Sequence, residues 1–329
     1  MRKIMITGFS GFVSYYFLQY LNEVVSQEES FEILGVDLKL PDDYESNYNF
    51  KNIHIRFLSM NLMDFSALEI AITSFAPNYI LHLASLSSVG ASWKDPIGCF
   101  MNNTNIFLNL VEAVRKSGIK CRILSIGSSE EYGNVDKKNI PLLETSLLQP
   151  ISPYAIARVS QEMLSKCYVD SMGLDIVLTR SFNHIGPRQR EVFVVPSFIK
   201  QVIDGKENGL KKIELSTGNL EIVRDFLDVR DVVRAYYLLL VKGKRGELYN
   251  VCSGNGYTLR QVLELIAEIE EVELETIIDK RKIRPNDNMI IIGNNTKLVS
   301  ETGWNPMYNI RQTLQDMLDY RRICNASLV

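Results

Sequence analysis

The sequence predicts an α/β protein, a doubly wound parallel sheet followed by a smaller, mixed α/β C-terminal lobe. Three observations predict it. In the first half of the 329 residues, short runs rich in β-branched side chains alternate with helical stretches, the rhythm of strands joined by crossover helices. A glycine-rich turn, Thr7-Gly8-Phe9-Ser10-Gly11, stands directly between the first such run and the first helical stretch. After about Asn183 the rhythm gives way to longer irregular segments rich in Gly, Pro and Asn.

In chain order, the pattern predicts a strand at residues 3–7, a helix at 12–25, strands at 32–37 and 53–57, and a helix at 65–75. A strand at 79–83, a helix at 96–116, a strand at 122–126, a helix at 153–172 and a strand at 175–180 follow. Pro96 and Pro153 sit at helix starts, where a missing N–H costs nothing. Gly118 and Gly173 fall just past helix ends, where a left-handed residue closes the last turn. A further βα-like piece, 225–240 and then 247–250, reads as returning to the first domain. The expected division is therefore 1–182 with 225–252 as the first domain, and 183–224 with 253–329 as a second, smaller lobe. The acidic run at 268–275 reads as a solvated helix end.

Composition narrows the function. Hydrophobic residues make up 46% and charged residues 23%, as in ordinary globular proteins. A net charge of −3 gives no electrostatic case for nucleic acid or an anionic membrane as partner. The five cysteines are scattered without C-x-x-C spacing and read as reduced thiols. The three histidines are equally dispersed, so no metal is expected. The apolar residues after Met1-Arg2-Lys3 are interrupted by Gly8, Ser10, Gly11 and Ser14, unlike a signal peptide. The apolar run at 236–241 is far too short to span a bilayer. A cytoplasmic protein is expected.

The first turn carries a nucleotide signature. Gly8 and Gly11 allow a tight turn and close approach of a pyrophosphate to the helix N–H groups, and Ser14 keeps the third position small. This is the Rossmann-type arrangement. Asp37 ends the second strand, where a carboxylate accepts hydrogen bonds from the adenosine ribose diol and repels a 2′-phosphate. That favours NAD(H), with NADP(H) left open because Lys39 is close. Asn61-Leu62 either holds adenine or simply makes a turn. Leu83-Ala84-Ser85 ends the fourth strand at the cofactor's crossing point, and His82 reads as buried structure.

A second constellation concerns proton transfer. Ser128 precedes Tyr154-Ala-Ile-Ala-Arg158, a Ser…Tyr-x-x-x-Lys reductase pattern except that Arg stands for Lys. The cation one helical turn from a phenol shares its face and lowers its pKa from about 10. Arg keeps the charge but is longer, planar and always protonated.

These segments, with HLAS, Asn103 and the following NLVEA, IGSSEEYG, RSFNHIGPRQ, GNLEIVRDFLDVRDVVRAY, YNVCSG, IRPND and TGWNP, resemble the extended short-chain dehydrogenase/reductases that modify nucleotide-activated sugars. The run from FNHIGP to YNVCSG is most similar to the GDP-4-dehydro-6-deoxy-D-mannose reductases of that family, which form GDP-D-rhamnose. The resemblance implies cofactor contacts at Gly8, Gly11, Phe12, Val13, Asp37, Leu62, Leu83, Ala84, Tyr154 and Arg158, with Asn103 toward the nicotinamide. It implies Ser128 as the catalytic hydroxyl and Tyr154 as proton donor. Glu130 matches an acid that related dehydratases use. Asn183, Arg224 and Arg284 match positions that hold the nucleotide-sugar diphosphate, and Arg188 is a weaker candidate. A homodimer through the helices at 96–116 and 153–172 is implied as well, with Phe100, Phe107 and Leu110 suited to either interface or core. The expected activity is NAD(P)H-dependent reduction of the C4 ketone of a GDP-linked 4-keto-6-deoxy sugar, mannose or deoxyheptose type. Two alternatives stay open: a GDP-sugar 4,6-dehydratase or epimerase, and a catalytically silent NAD-binding regulator in which Arg158 has ended the chemistry.

Overall fold

The structure is a computed structural model and describes residues 1–25, 29–283 and 286–326. The strands in chain order are β1 (Arg2–Thr7), β2 (Phe31–Asp37), β3 (Ile53–Ser59), β4 (Tyr79–His82), β5 (Arg122–Ser128), β6 (Asp175–Ser181), β7 (Asn183–Ile185), β8 (Lys212–Thr217), β9 (Val223–Asp228), β10 (Leu248–Val251), β11 (Gly256–Thr258), β12 (Glu273–Ile278) and β13 (Ile290–Ile291). The helices are α1 (Phe12–Tyr20), α2 (Tyr44–Asn47), α3 (Phe65–Phe75), α4 (Val89–Lys94), α5 (Pro96–Ser117), α6 (Pro153–Met172), α7 (Val194–Glu207), α8 (Val229–Lys242), α9 (Leu259–Glu270), α10 (Thr296–Thr302) and α11 (Ile310–Ala326).

Seven strands pair in parallel in the order β3-β2-β1-β4-β5-β6-β10. Alternation along β1 explains why the sheet is covered on both sides. Ile4 and Ile6 pack with Phe17, Tyr236 and Leu239 of α1 and α8, whereas Met5 packs with Ile72, Phe107 and Val111 of α3 and α5. Each such fully buried aliphatic side chain stabilises the fold by about 1.5–3 kcal/mol. The lobe is built on β9, which pairs with β7, β11 and β13, while β8 pairs with β12. Its core joins Phe198, Val202, Phe226, Val262, Ile266 and Leu314.

The helix starts follow the proline signals. Asp95 accepts from the N–H of Gly98 ahead of Pro96, and Ser152 accepts from that of Ala155 ahead of Pro153. Gly118 and Gly173 close the same helices in the left-handed conformation. Three expectations need correction. The first helix ends at Tyr20 and continues over Leu21–Val25 as a wider π turn. β5 runs on to Ser128 because Gly127 and Ser128 still pair with Arg180 and Ser181. Within the acidic run, Glu270 is buried rather than solvated, since Lys206 and Arg322 reach it from α7 and α11.

Candidate active site

The strand order reverses between β1 and β4, so their C-terminal ends open a crevice. Thr7 pairs with Val36 on one side and His82 on the other, which brings the ends of β1, β2 and β4 together. Gly8 sits there at φ +72, and a Cβ on it would lie 2.6 Å from the Ala84 nitrogen. No side chain caps α1 at Gly11, so the first-turn N–H groups at Phe12, Val13 and Ser14 face the crevice without an intrahelical acceptor. The Ser14 and Ser85 hydroxyls are sealed without partners. Asp37 is pinned by two backbone donors, Ser10 N–H to Oδ2 at 2.9 Å and Leu38 N–H to Oδ1 at 2.7 Å. Unclaimed helix N–H groups, a glycine cradle and a fixed carboxylate fit a dinucleotide.

Two positions read from the sequence do something more local. Asn61 is exposed, and its Oδ1 accepts from Met63 N–H, so it makes the turn that leads to buried Leu62. Asn103 spends its amide on Leu86, accepting from the N–H at 2.8 Å and donating to the carbonyl at 3.1 Å. It anchors the loop that follows Leu83, Ala84 and Ser85.

Ser128 ends β5 and caps the following turn. Its Oγ accepts from Glu130 N–H, and its own N–H donates to Glu131 Oε1 at 2.6 Å. Glu131 is wholly buried beside the Glu162–Arg180 ion pair. Burial, then the Glu162 charge, raise its carboxyl well above the usual range. Glu130 is half-buried and next to Ser128. Tyr154 lies in the first turn of α6, and Arg158 Nε donates to its hydroxyl at 3.2 Å. Arg158 Nη1 donates to Ile126 O at 3.0 Å and Gln161 Oε1 at 2.6 Å. Arg158 is only 5% exposed, and among the described residues it forms no ion pair with a carboxylate. A buried cation without a counter-carboxylate is costly unless something anionic forms beside it.

The charge is felt nearby. Burial, followed by the Arg158 guanidinium, pushes His82 down to about 3. His82 is therefore neutral, bonded through Nδ1 to Thr7 Oγ1 at 2.8 Å. Its lowered pKa means the unfolded chain binds a proton that the native chain refuses. Stability is full above pH 6.5 and falls as acid approaches the lowered value. The expected loss is about 1.4 kcal/mol per pH unit below pH 6.5. His184, also lowered by burial, adds a loss of the same sign. Urea midpoints at pH 7 and pH 5 check this: His82→Asn, which can keep the Thr7 contact, is expected to flatten the slope.

Asn183 begins β7, and the neighbouring His184 stacks on Phe12 with ring centroids 5.7 Å apart, tying the lobe to the start of α1. Arg224 is buried in β9, donating to Val223 O and Asn288 O and pairing with Asp287 at 3.1 Å. Arg284 lies outside the described residues. Arg188 is engaged elsewhere, bonded to Asp43 and stacked 3.9 Å over the Tyr15 ring. Gln161 and Glu131 escaped the sequence reading. Gln161 stands one helical turn beyond Arg158, a spacing that marks it as a neighbour once the helix is granted.

A sequence model of the GDP-mannose 4,6-dehydratase family matches residues 5–317. The chain belongs to this family. Within the GDP-mannose 4,6-dehydratase family setting, it is 36% identical over 242 residues to the GDP-6-deoxy-D-mannose reductase of Pseudomonas aeruginosa, spanning 74% of this chain and 79% of that protein. It is 28% identical to the GDP-6-deoxy-D-talose 4-dehydrogenase of Aggregatibacter actinomycetemcomitans, across 97% of this chain and 98% of that one. The solved structure of RMD from Pseudomonas aeruginosa complexed with NADPH superposes with a TM-score of 0.82 at 30% identity, covering 97% of this chain and 98% of that chain. The family read from the motifs, and its α/β fold, therefore hold. Among the described residues no helix is long and apolar enough to cross a membrane.

Proposed function

We propose that the protein reduces the C4 ketone of a GDP-linked 4-keto-6-deoxy sugar, of mannose or deoxyheptose type, at the expense of NADH or NADPH. The observation that carries the reading is the Tyr154–Arg158 contact at the start of α6, with Ser128 at the end of β5. The 36% identity to a GDP-6-deoxy-D-mannose reductase supports a GDP-linked sugar as substrate. The dihydronicotinamide, when bound, supplies a hydride. Gly8, Gly11 and the α1 amides would hold the pyrophosphate, and Asp37 the adenosine ribose. Tyr154 gives its proton to the C4 oxygen as charge develops there, and Ser128 donates a hydrogen bond to the same oxygen. Arg158 holds the Tyr154 oxygen through Nε and offsets the phenolate left behind. Asn183, Arg224 and Arg284 are assigned to the nucleotide-sugar side.

A GDP-sugar 4,6-dehydratase or epimerase is the second reading, and Glu130, beside Ser128 and half-exposed, is compatible with it and with the reductase alike. Feeding the enzyme GDP-mannose, and separately the 4-keto sugar made from it by a known dehydratase, decides between them. Net oxidation of NADH or NADPH with only the ketone supports the reductase. Conversion of GDP-mannose without net cofactor change overturns it. Asp37 leads us to assign NADH as the preferred donor, which the ratio of kcat/KM for the two cofactors measures.

A homodimer is also proposed. α5 exposes Ile97 and Met101, and α6 exposes Ile156 and Met163, a set of apolar side chains on the two implied helices. Phe100 joins them at the surface, whereas Phe107 and Leu110 belong to the core.

A further inference from the structure

The substitution of arginine at position 158 has a structural counterpart three residues on. Tyr154, Arg158, Gln161 and Ser165 lie along the face of α6 that packs on β5, and all four are buried. Gln161 Oε1 accepts from Arg158 Nη1 at 2.6 Å, while Gln161 Nε2 donates to Ser125 Oγ at 2.9 Å and Ile126 O at 3.1 Å. Ser165 Oγ in turn donates to Gln161 O at 2.9 Å and Ser125 Oγ at 3.1 Å. The amide is thus fixed at both ends, with its oxygen aimed at the guanidinium. Nη1 is held down on β5, Nε is left on the Tyr154 hydroxyl, and no protein acceptor among the described residues takes Nη2. Nη2 is not sealed from solvent.

We infer that Gln161 is a positioning residue that makes arginine serviceable at position 158. An ammonium is a point donor that needs no fixed orientation, whereas a guanidinium is a planar fork whose three nitrogens must be aimed together. Gln161 sets that plane. With one nitrogen anchored beneath β5, the second faces the phenol and the third the cofactor side. An uncharged acceptor does this without neutralising the cation, as a carboxylate in its place would. The inference rests on the reductase reading for its catalytic consequence, while the geometry it names is independent of that reading.

A double-mutant cycle tests it. Gln161→Met keeps the volume and removes the acceptor, and Arg158→Lys removes the fork. Since misplacement of a catalytic group by about an ångström costs on the order of 100-fold, Q161M is expected to lower kcat about 10–100-fold with substrate KM nearly unchanged. In the R158K background the same substitution is expected to change kcat less than about twofold, because the coupled partner is gone. Gln161→Glu is expected to move the alkaline limb of the kcat–pH profile upward, because a counter-charge on the guanidinium weakens its pull on the Tyr154 proton. Equal losses from Q161M in both backgrounds, with an unmoved pH profile, would make Gln161 mere packing and overturn the inference. The cycle is read in parallel on NADH or NADPH binding by fluorescence, with thermal unfolding to confirm that each variant folds. Absence of turnover in every variant that still binds cofactor sinks the reductase reading. Non-additivity of cofactor affinity then still upholds the Arg158–Gln161 coupling, and additivity refutes it.

Discussion

Tyr154→Phe is expected to lower kcat for ketone reduction about 10²–10⁴-fold, the range a positioned proton donor contributes. The substitution keeps the ring, which lies in the first turn of α6 with the Arg158 guanidinium 5.3 Å from its centroid. Packing should therefore survive. What disappears is the oxygen that accepts from Arg158 Nε. Leaving that donor unpaired in a buried site costs about 1–3 kcal/mol, so a lowered thermal midpoint should accompany the loss of activity. Cofactor affinity is expected to fall far less than kcat, because the α1 amides and Asp37 are untouched. Ser128→Ala provides the comparison. It removes the hydroxyl proposed to stabilise developing charge, expected to cost about 10²–10³-fold, and one that also caps Glu130 N–H. Stopped-flow measurement of NADH oxidation with the 4-keto sugar gives both values. Retention of more than about a tenth of wild-type kcat in Y154F would place the proton donor elsewhere, since proton transfer is worth at least about 10²-fold.

Residues whose placement follows from backbone geometry were legible in advance. The glycine turn, Asp37 at a strand end and the proline-started helices each announce themselves by position. Tyr154 and Arg158 were legible as a pair because helical spacing alone puts them on one face. The network beneath them was not. Gln161 reads like any polar residue on a helix, and only the approach of β5 reveals that its amide is sandwiched between Arg158 and Ser125. Glu131 is similar: a second glutamate in a polar turn looks solvated until Gly127 leaves room for it to fold back on Ser128. Asn103 was legible by its neighbourhood, but its bonds to the Leu86 backbone were not, because sequence does not show which loop packs against a helix. Glu270 was misread for the same reason, its two cations coming from helices distant in the chain.

Gly8→Ala is expected to abolish measurable cofactor binding and lower stability together, whereas Gly11→Ala should weaken binding alone. The two glycines sit in one turn but meet different constraints. Gly8 has φ +72, and its added methyl would meet the Ala84 nitrogen at 2.6 Å and the Leu83 carbonyl carbon at 2.8 Å. Both are backbone atoms at the end of β4, which the sheet holds in register with β1. Left-handed backbone costs a non-glycine residue about 1–2 kcal/mol before any clash is counted. The strand ends must then separate, opening the cradle. Gly11 instead has φ −78, and its methyl would meet only Gly8 O, at 3.2 Å. An alanine fits that conformation, so the apo protein should melt within a degree or two of wild type. Its methyl nevertheless stands where a pyrophosphate must approach the uncapped α1 amides, which should weaken NADH binding on the order of tenfold. Calorimetric titration and thermal unfolding of the two variants separate these effects. Equal stability losses in both would mean that the turn is limited by something other than the approach of Gly8 to β4.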